Sequence, residues 1–383
     1  MYYNEVCGLK LSALGMGNMR LPQKAGKIDY EKAQEIIDLA YESGINYYDT
    51  AFRYHSGESE IFIGKALAKY PRESWYLASK LPGHQMHYEN GKLGFHGYLS
   101  DFQVEKISDI FEMQLEKCGV DYFDFYLLHN LSETSIDFYM NPEVGVVDYL
   151  KKQKELGRIR HLGFSSHGSA ETIDRFLNAY DCFEFCQIQL NYLDWTLQDA
   201  ASKYDVITKH GLAVWVMEPV RGGKLAIVDP TTKKEMEARR PGESPARWAF
   251  RFLQSLPNAK MILSGMTTLD QLKDNLRTFA YRDPVNEDEC AFLLEAAEKL
   301  KNLVPCTACR YCTEDCPMSL PIPEIFALYN TKVGDPSFDL KAAFSSFEPE
   351  KLPSNCIACG ACARMCPQRI RIPDMMAKIA EQI

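Results

Sequence analysis

Two textures of apolar and polar positions alternate over the first 300 residues. Short apolar runs recur at 11–17, 46–49, 75–80, 122–129, 160–165, 185–190, 213–218 and 261–264. Each is four to eight residues long, as expected of strands buried on both faces. Between them, 30–43, 58–70, 102–118, 144–157, 170–179 and 268–279 carry apolar residues at helical spacing. Gly44, Gly119 and Gly157 fall just past the last turn of three of these stretches, where a left-handed residue ends a helix. Eight strands alternating with helices predict an α/β fold, a (β/α)8 TIM barrel. The competing open, doubly wound sheet would carry a Gly-rich fingerprint after its first strand. Gly15-Met16-Gly17-Asn18-Met19-Arg20 holds only the first two glycines of one.

Near residue 305 the pattern changes, which divides the chain into a barrel over 1–304 and a small, mainly helical domain over 305–383. Cys306-Thr-Ala-Cys309-Arg-Tyr-Cys312-Thr-Glu-Asp-Cys316-Pro317 returns fifty residues later as Cys356-Ile-Ala-Cys359-Gly-Ala-Cys362-Ala-Arg-Met-Cys366-Pro367. Ile322-Pro323 and Ile372-Pro373 extend the repeat, with helices expected at 324–329 and 374–383. Each half is a complete C-x2-C-x2-C-x3-C-P run, the pattern of bacterial [4Fe–4S] sites. Three closely spaced thiolates reach one cube, and the fourth, followed by proline, reaches the other. The expected ligands are therefore Cys306, Cys309, Cys312 and Cys366 for cluster one, and Cys356, Cys359, Cys362 and Cys316 for cluster two. Zinc is the competing reading, but its ligands come as two separated pairs, and these runs hold surplus cysteines. This unit resembles the two-cluster ferredoxins. The 39 residues between Cys316 and Cys356, with Phe326, Tyr329, Phe338, Phe344 and Phe347, look like the inserted segments of dicluster domains fused to larger redox enzymes.

Composition narrows the setting. A hydrophobic share of 46% over 383 residues supports a sizeable core, and Lys+Arg 43 against Asp+Glu 52 gives a net charge of −9. That balance argues against nucleic acid as the main partner. No apolar run reaches the ~18 residues of a membrane span. The opening MYYNEVCGLKL lacks the basic and apolar regions of a signal peptide, so a cytoplasmic location is expected, where disulfides are rare. The five cysteines at 7, 118, 182, 186 and 290 are expected to be buried packing residues.

Polar residues at strand ends carry the candidate chemistry of the barrel. Asp49 ends the second run, Tyr54 follows it, Lys80 ends the third run and His129 the fourth. Function in such barrels gathers at the C-terminal strand ends. Together the four suit proton donation by a phenol to a carbonyl oxygen. Lys80, held by Asp49, would lower the Tyr54 pKa from ~10, and His129 would give a second hydrogen bond. In order, spacing and context these residues resemble the tetrad of the aldo-keto reductase superfamily. So do Asp49-Thr-Ala…Tyr54…Gly57-Glu-Ser-Glu, Leu128-His129 and Arg158-Ile-Arg-His-Leu-Gly163-Phe-Ser165-Ser166.

That resemblance covers roughly residues 5–280 and implies an NADH or NADPH cofactor without a Rossmann domain. It assigns the nicotinamide carboxamide to Ser165, Ser166 and Gln187, and adenine to Asn275. Met217 stands where a family aromatic often stacks. Gly265 and Gln271 replace the basic pair commonly used for the NADP 2′-phosphate, with Arg221 or Lys224 as substitutes. His84, His87 and His96 lie in a Gly-rich segment, 83–100, expected to form a substrate-side loop, and Arg364, Arg369 and Arg371 fringe the second cluster. Three functions follow. The clusters exchange electrons with a ferredoxin- or flavodoxin-type partner while the barrel handles a small-molecule carbonyl or alcohol, joined by a flavin or radical step. Alternatively, the protein is an NAD(P)H-dependent carbonyl reductase whose clusters are structural or sense oxygen. In the third, it is a non-catalytic electron-transfer subunit.

Overall fold

The computed structural model describes residues 1–100, 102–335 and 337–383. Eight parallel strands close into a barrel: β1 (Leu14–Gly17), β2 (Tyr47–Asp49), β3 (Tyr76–Leu81), β4 (Phe123–Leu131), β5 (Ile159–Ser166), β6 (Phe185–Gln189), β7 (Ala213–Met217) and β8 (Ala259–Ser264). Helices α1 (Tyr30–Glu42), α2 (Glu58–Leu67), α3 (Ile107–Cys118), α4 (Val146–Glu155), α5 (Ala170–Ala179), α6 (Ala200–Lys209), α7 (Pro245–Gln254) and α8 (Leu269–Thr278) follow the strands in turn. The α/β expectation holds, and every apolar run overlaps one barrel strand.

Two boundaries differ from the pattern. The run 11–17 breaks at Ala13, because Leu9–Ser12 pairs antiparallel with Tyr3–Val6 in a hairpin under the barrel. The Ser12 hydroxyl donates to Leu14 O at 2.8 Å across the break. The segment 102–118 becomes helical only at Ile107, where the Asp109 carboxylate accepts the backbone N–H groups of Glu105 and Lys106 and caps the first turn.

Strand side chains alternate between lumen and helix layer. Tyr47, Ala78, Phe125, Phe185, Trp215 and Met261 fill the lumen, while Tyr48, Leu77, Tyr126, Cys186, Val216 and Ile262 face the helices. Two residues further along the lumen-facing series stand Asp49, Lys80, Gln187 and Met217, with His129 four beyond Phe125. The pairings Asp49↔Ala78, Lys80↔Leu127 and Gln189↔Met217 bring these strand ends to one rim. The same period-two pattern that packs the lumen thus delivers a polar layer to the C-terminal mouth.

The second unit has its own core, with Ile322, Ile325, Phe326, Phe344, Ile372 and Met376 among its members, and it begins at Val304. Its repeat is written into the backbone. Ala308 and Ala358 share left-handed φ values of 53° and 54°, Arg310 and Gly360 have 67° and 74°, and Ser319 and Arg369 have 48° and 53°. A short helix follows in each half (Tyr311–Glu314, Ala361–Arg364), then a longer one with proline in its first turn (Ile322–Gly334, Ile372–Ala380). This unit closes on the barrel mouth through contacts all round the rim. Arg53 pairs with Glu314 and Arg369 with Glu133. Gln368 and Gln189 form a reciprocal amide pair at 2.7 and 3.1 Å, Arg20 Nη2 donates to Thr307 O at 2.7 Å, and Lys224 Nζ to Val304 O at 3.0 Å. No helix among the described residues is long and apolar enough to cross a membrane.

Candidate functional site

A cleft opens at the C-terminal mouth, bounded by the barrel on one side and the second unit on the other. Asp49, Tyr54 and His129 line it; Lys80 lies beneath, fully buried. Lys80 Nζ donates to Asp49 Oδ1 at 2.6 Å and to Thr50 O at 2.7 Å, and it stands 5.0 Å from the centre of the Tyr54 ring. Burial pushes the Lys80 pKa down and the Asp49 pKa up, while their mutual attraction opposes both shifts. Tyr54 opens the short helix Tyr54–Gly57, in which His55 and Ser56 adopt left-handed φ values of 53° and 55°. Such values in non-glycine residues mark backbone held by its surroundings, here by Gln23 on His55 at 2.8 Å.

The expected lowering of the Tyr54 pKa is not what the surroundings produce. Burial raises it well above 10, Tyr311, Asp49 and Glu218 add to the rise, and Arg20 opposes them. The Lys80 charge is already compensated by Asp49, so little of it is left to stabilise phenolate. His129 is driven well below 6.5 by burial and by His84, Lys80, His167 and Arg53, and is therefore a neutral hydrogen-bonding imidazole. Its backbone carbonyl accepts the Tyr139 hydroxyl at 2.6 Å. His84 packs 4.6 Å from the His129 ring and, like His167, is held at about 3, chiefly by burial. The segment 83–100 folds as a 3-10 turn and the hairpin Met86–Glu89/Lys92–Phe95, and its His84 reaches the cleft.

The expected nicotinamide contacts divide. Gln187, Met217 and Asn275 line the cleft, whereas Ser165 and Ser166 do not. Ser165 Oγ accepts the Asn130 N–H at 2.8 Å, and Ser166 Oγ donates to Leu131 O at 2.8 Å. Gln187 donates weakly to Met217 Sδ at 3.7 Å, and its buried Oε1, like Asn130 Oδ1 in the same wall, accepts nothing from the described residues. Buried acceptors without partners are costly, and a carboxamide NH2 would satisfy them. Asn275 Nδ2 donates to Ser264 Oγ at 3.0 Å. Arg221 and Lys224 are engaged elsewhere. Arg221 is buried against Asp194 at 3.0 Å and donates to Gln368, and Lys224 holds Val304 O. Gln271 closes the capping box of α8 with Thr268.

The eight repeat cysteines form two groups. Cys306, Cys309, Cys312 and Cys366 line one small cavity, walled by Ile322, Phe326 and Ile370. Cys316, Cys356, Cys359 and Cys362 line another. The grouping is the one cross-ligation requires, with the last cysteine of each run in the other run's cavity. Burial chiefly pushes Cys309 up to about 12 and Cys362 up to about 11, with neighbouring sulfurs adding to both. Thiols crowded in this way ionise against a cationic centre, so the donor set fits a cube in each cavity. Among the remaining cysteines, Cys118 and Cys186 are buried as expected, while Cys7, Cys182 and Cys290 are partly exposed.

Sequence reasoning missed the far wall of the cleft. Thr307, Cys309, Tyr311, Pro367 and Gln368 of the second unit line it. Nothing in the repeat signals this, because the contact is made across the domain boundary. Cys309 was visible only as a ligand; the structure puts it in the wall of both the cleft and the first cysteine cavity.

Comparison with known proteins agrees with this architecture. The Aldo/keto reductase family profile matches residues 13–296. The chain belongs to the aldo/keto reductase family. A 4Fe-4S dicluster domain profile matches residues 305–370 beyond this family's barrel. The NADH-specific methylglyoxal reductase of Escherichia coli K12 is 27% identical over 222 residues, 57% of this chain and 66% of that protein. The aligned part is thus just under two thirds of that relative. L-galactose dehydrogenase of Arabidopsis thaliana is 24% identical over 319 residues, 77% of this chain and 93% of the plant protein. Among solved structures, an aldo-keto reductase from Bacillus halodurans in its holo form superposes with a TM-score of 0.60 at 26% identity, covering 77% of this chain and 96% of that one.

Proposed function

We propose that this protein is an iron–sulfur oxidoreductase of the aldo/keto reductase type. Its barrel interconverts a small-molecule carbonyl and alcohol, and its clusters carry electrons to or from a redox partner protein. One observation carries the reading: Cys309 lines both the catalytic cleft and the cavity of cluster one. A fused dicluster domain placed only as a distant anchor would have no reason to expose a ligand cysteine to the active site.

In this reading the nicotinamide, when bound, supplies or accepts the hydride. Tyr54 faces the substrate oxygen and gives it a proton as charge develops there. The raised pKa keeps the phenol protonated, and the alkoxide, being more basic than phenolate, can take that proton. Neutral His129 donates a hydrogen bond to the same oxygen. Lys80, anchored by Asp49, fixes the floor under the Tyr54 ring. Gln187 and Asn130 offer acceptors to the carboxamide, Met217 packs beside it, Asn275 serves adenine, and Ser165 and Ser166 support the wall through residues 130 and 131. Asp274, beside Asn275 in the chain, also lines the cleft, and Arg221 and Lys224 are engaged elsewhere, so NADH is favoured over NADPH. That the E. coli relative is an NADH-specific reductase points the same way.

A second reading, a carbonyl reductase with structural clusters, draws on the same wall, since Thr307, Tyr311 and Gln368 close the cleft whether or not electrons pass. Anaerobic titration of the iron-loaded protein separates the two. If the clusters take part, NADH alone, giving up a proton and two electrons, or the alcohol alone, giving up two protons and two electrons, puts one electron on each cluster and so bleaches their visible absorption or generates an EPR signal. Turnover with fully static cluster spectra removes the electron-carrying reading.

A further inference from the structure

Among the described residues, Cys309 is the only cysteine that lines both the cleft and a cysteine cavity, and the segment around it is tied to both cleft walls. On one side, Arg20 Nη2 donates to Thr307 O at 2.7 Å and reaches Glu218 Oε1 at 3.4 Å. Gly222, at φ 65°, lets the Thr307 carbonyl approach, because any Cβ there would strike it. On the other side, Tyr311 lies under the Arg53 guanidinium, 5.5 Å from its ring centre, and Arg53 pairs with Glu314. Arg53 directly precedes Tyr54 in the chain. The segment 307–314 is therefore a fixed part of the cleft, and charge at cluster one stands in the cleft wall.

We propose that cluster one, through Cys309, determines which oxidation state of the nicotinamide the cleft holds. The inference rests on the functional reading above. Oxidised nicotinamide carries a positive charge on its ring that the reduced form lacks. One-electron reduction of cluster one adds a negative charge to the wall of the same cleft and forms or breaks no bond. In a wall of this cleft, at an effective dielectric near 20, such a charge would favour the cationic ring by about tenfold. Linkage is reciprocal, so bound NAD+ raises the potential of cluster one by about 60 mV, the one-electron equivalent of that tenfold. Cluster two lines a cavity that shares no residue with the cleft, so its potential moves less. The consequence is directional: with cluster one reduced, the cleft favours the state reached after hydride has passed to the carbonyl.

The test uses the iron-loaded full chain under anaerobic conditions. Dissociation constants for NAD+ and NADH are measured as isolated and after dithionite reduction with the excess reductant removed by anaerobic gel filtration, and both cluster potentials are followed by EPR with and without NAD+. The Cys359→Ser variant identifies the cluster-two signal. The expected result is an NAD+/NADH preference about tenfold higher in the reduced protein, with a matching rise in the cluster-one potential. Binding of both nicotinamides with a redox-independent ratio, or equal movement of the two potentials, overturns the coupling and leaves the cofactor reading intact. Absence of any nicotinamide binding in either state overturns the cofactor reading and the coupling with it.

Discussion

Tyr54 and Lys80 show how burial revises chemistry inferred from residue types. A lysine beside a tyrosine suggests a softened phenol, but Lys80 is matched to Asp49 at 2.6 Å before it can act on Tyr54. Burial keeps the phenol protonated, and in the function proposed above neutral His129 supports it as a donor. Two predictions follow at this scale. Tyr54→Phe should cut carbonyl reduction by at least about 10²-fold, the usual contribution of a positioned acid, in a steady-state assay, with cluster absorption unchanged. The pH dependence has a definite sign. Reduction requires protonated Tyr54, and a raised pKa extends that form upward, so activity should be lost only as pH rises past the raised value. Rates of kcat/KM should therefore stay level from about pH 6 to beyond about pH 9. A decline centred near neutrality would contradict the assignment of Tyr54 and His129.

At the scale of elements, the decisive feature is the seam between the barrel rim and the segment after Pro367. Gln368 is buried; its Oε1 accepts from Gln189 and from Arg221 Nη2, and its Nε2 returns a bond to Gln189. Arg221 is in turn fixed by Asp194, which also accepts from Asn191. Gln368→Leu should leave Gln189 and Arg221 short of partners and cost about 2 kcal/mol. The readout is a lower denaturant midpoint for loss of cluster absorption, with the far-ultraviolet signal of the barrel less affected. An unchanged midpoint would mean that the seam adds nothing to the hold on the dicluster unit. The hairpin at Met86–Glu89/Lys92–Phe95 and the short helix Tyr54–Gly57 belong to the same rim, and neither carries a local pattern that separates it from loop.

For the whole molecule, the closing of the barrel mouth by the iron–sulfur unit makes cluster integrity a condition for an intact cleft. Eight thiols crowded into two cavities hold together around cationic cores and repel one another without them. Oxidative removal of iron with a chelator should abolish NADH binding, measured by equilibrium titration. Circular dichroism should still report the β/α barrel, and amide exchange should rise at residues 53–57 and 304–316. Full-affinity NADH binding by the iron-free protein would separate the two halves functionally.

The strand runs, the polar residues at their ends and the cysteine repeat were legible because each is a local or periodic property of the chain. Period-two alternation puts Asp49, Lys80, His129 and Gln187 in the lumen-facing series, and the C-x2-C-x2-C-x3-C-P spacing selects its own ligand set. Other features were decided by the tertiary structure, since they depend on groups far apart in sequence. These include the break at Ala13, the capture of Arg221 by Asp194 and Gln368, the rise of the Tyr54 pKa and the displacement of Ser165 and Ser166 from the cleft. The largest such decision is the placement of Cys309 and Tyr311 opposite Tyr54, more than 250 residues away along the chain. Local pattern records which face a residue presents, whereas the charge and solvent around that face are set by whatever folds against it.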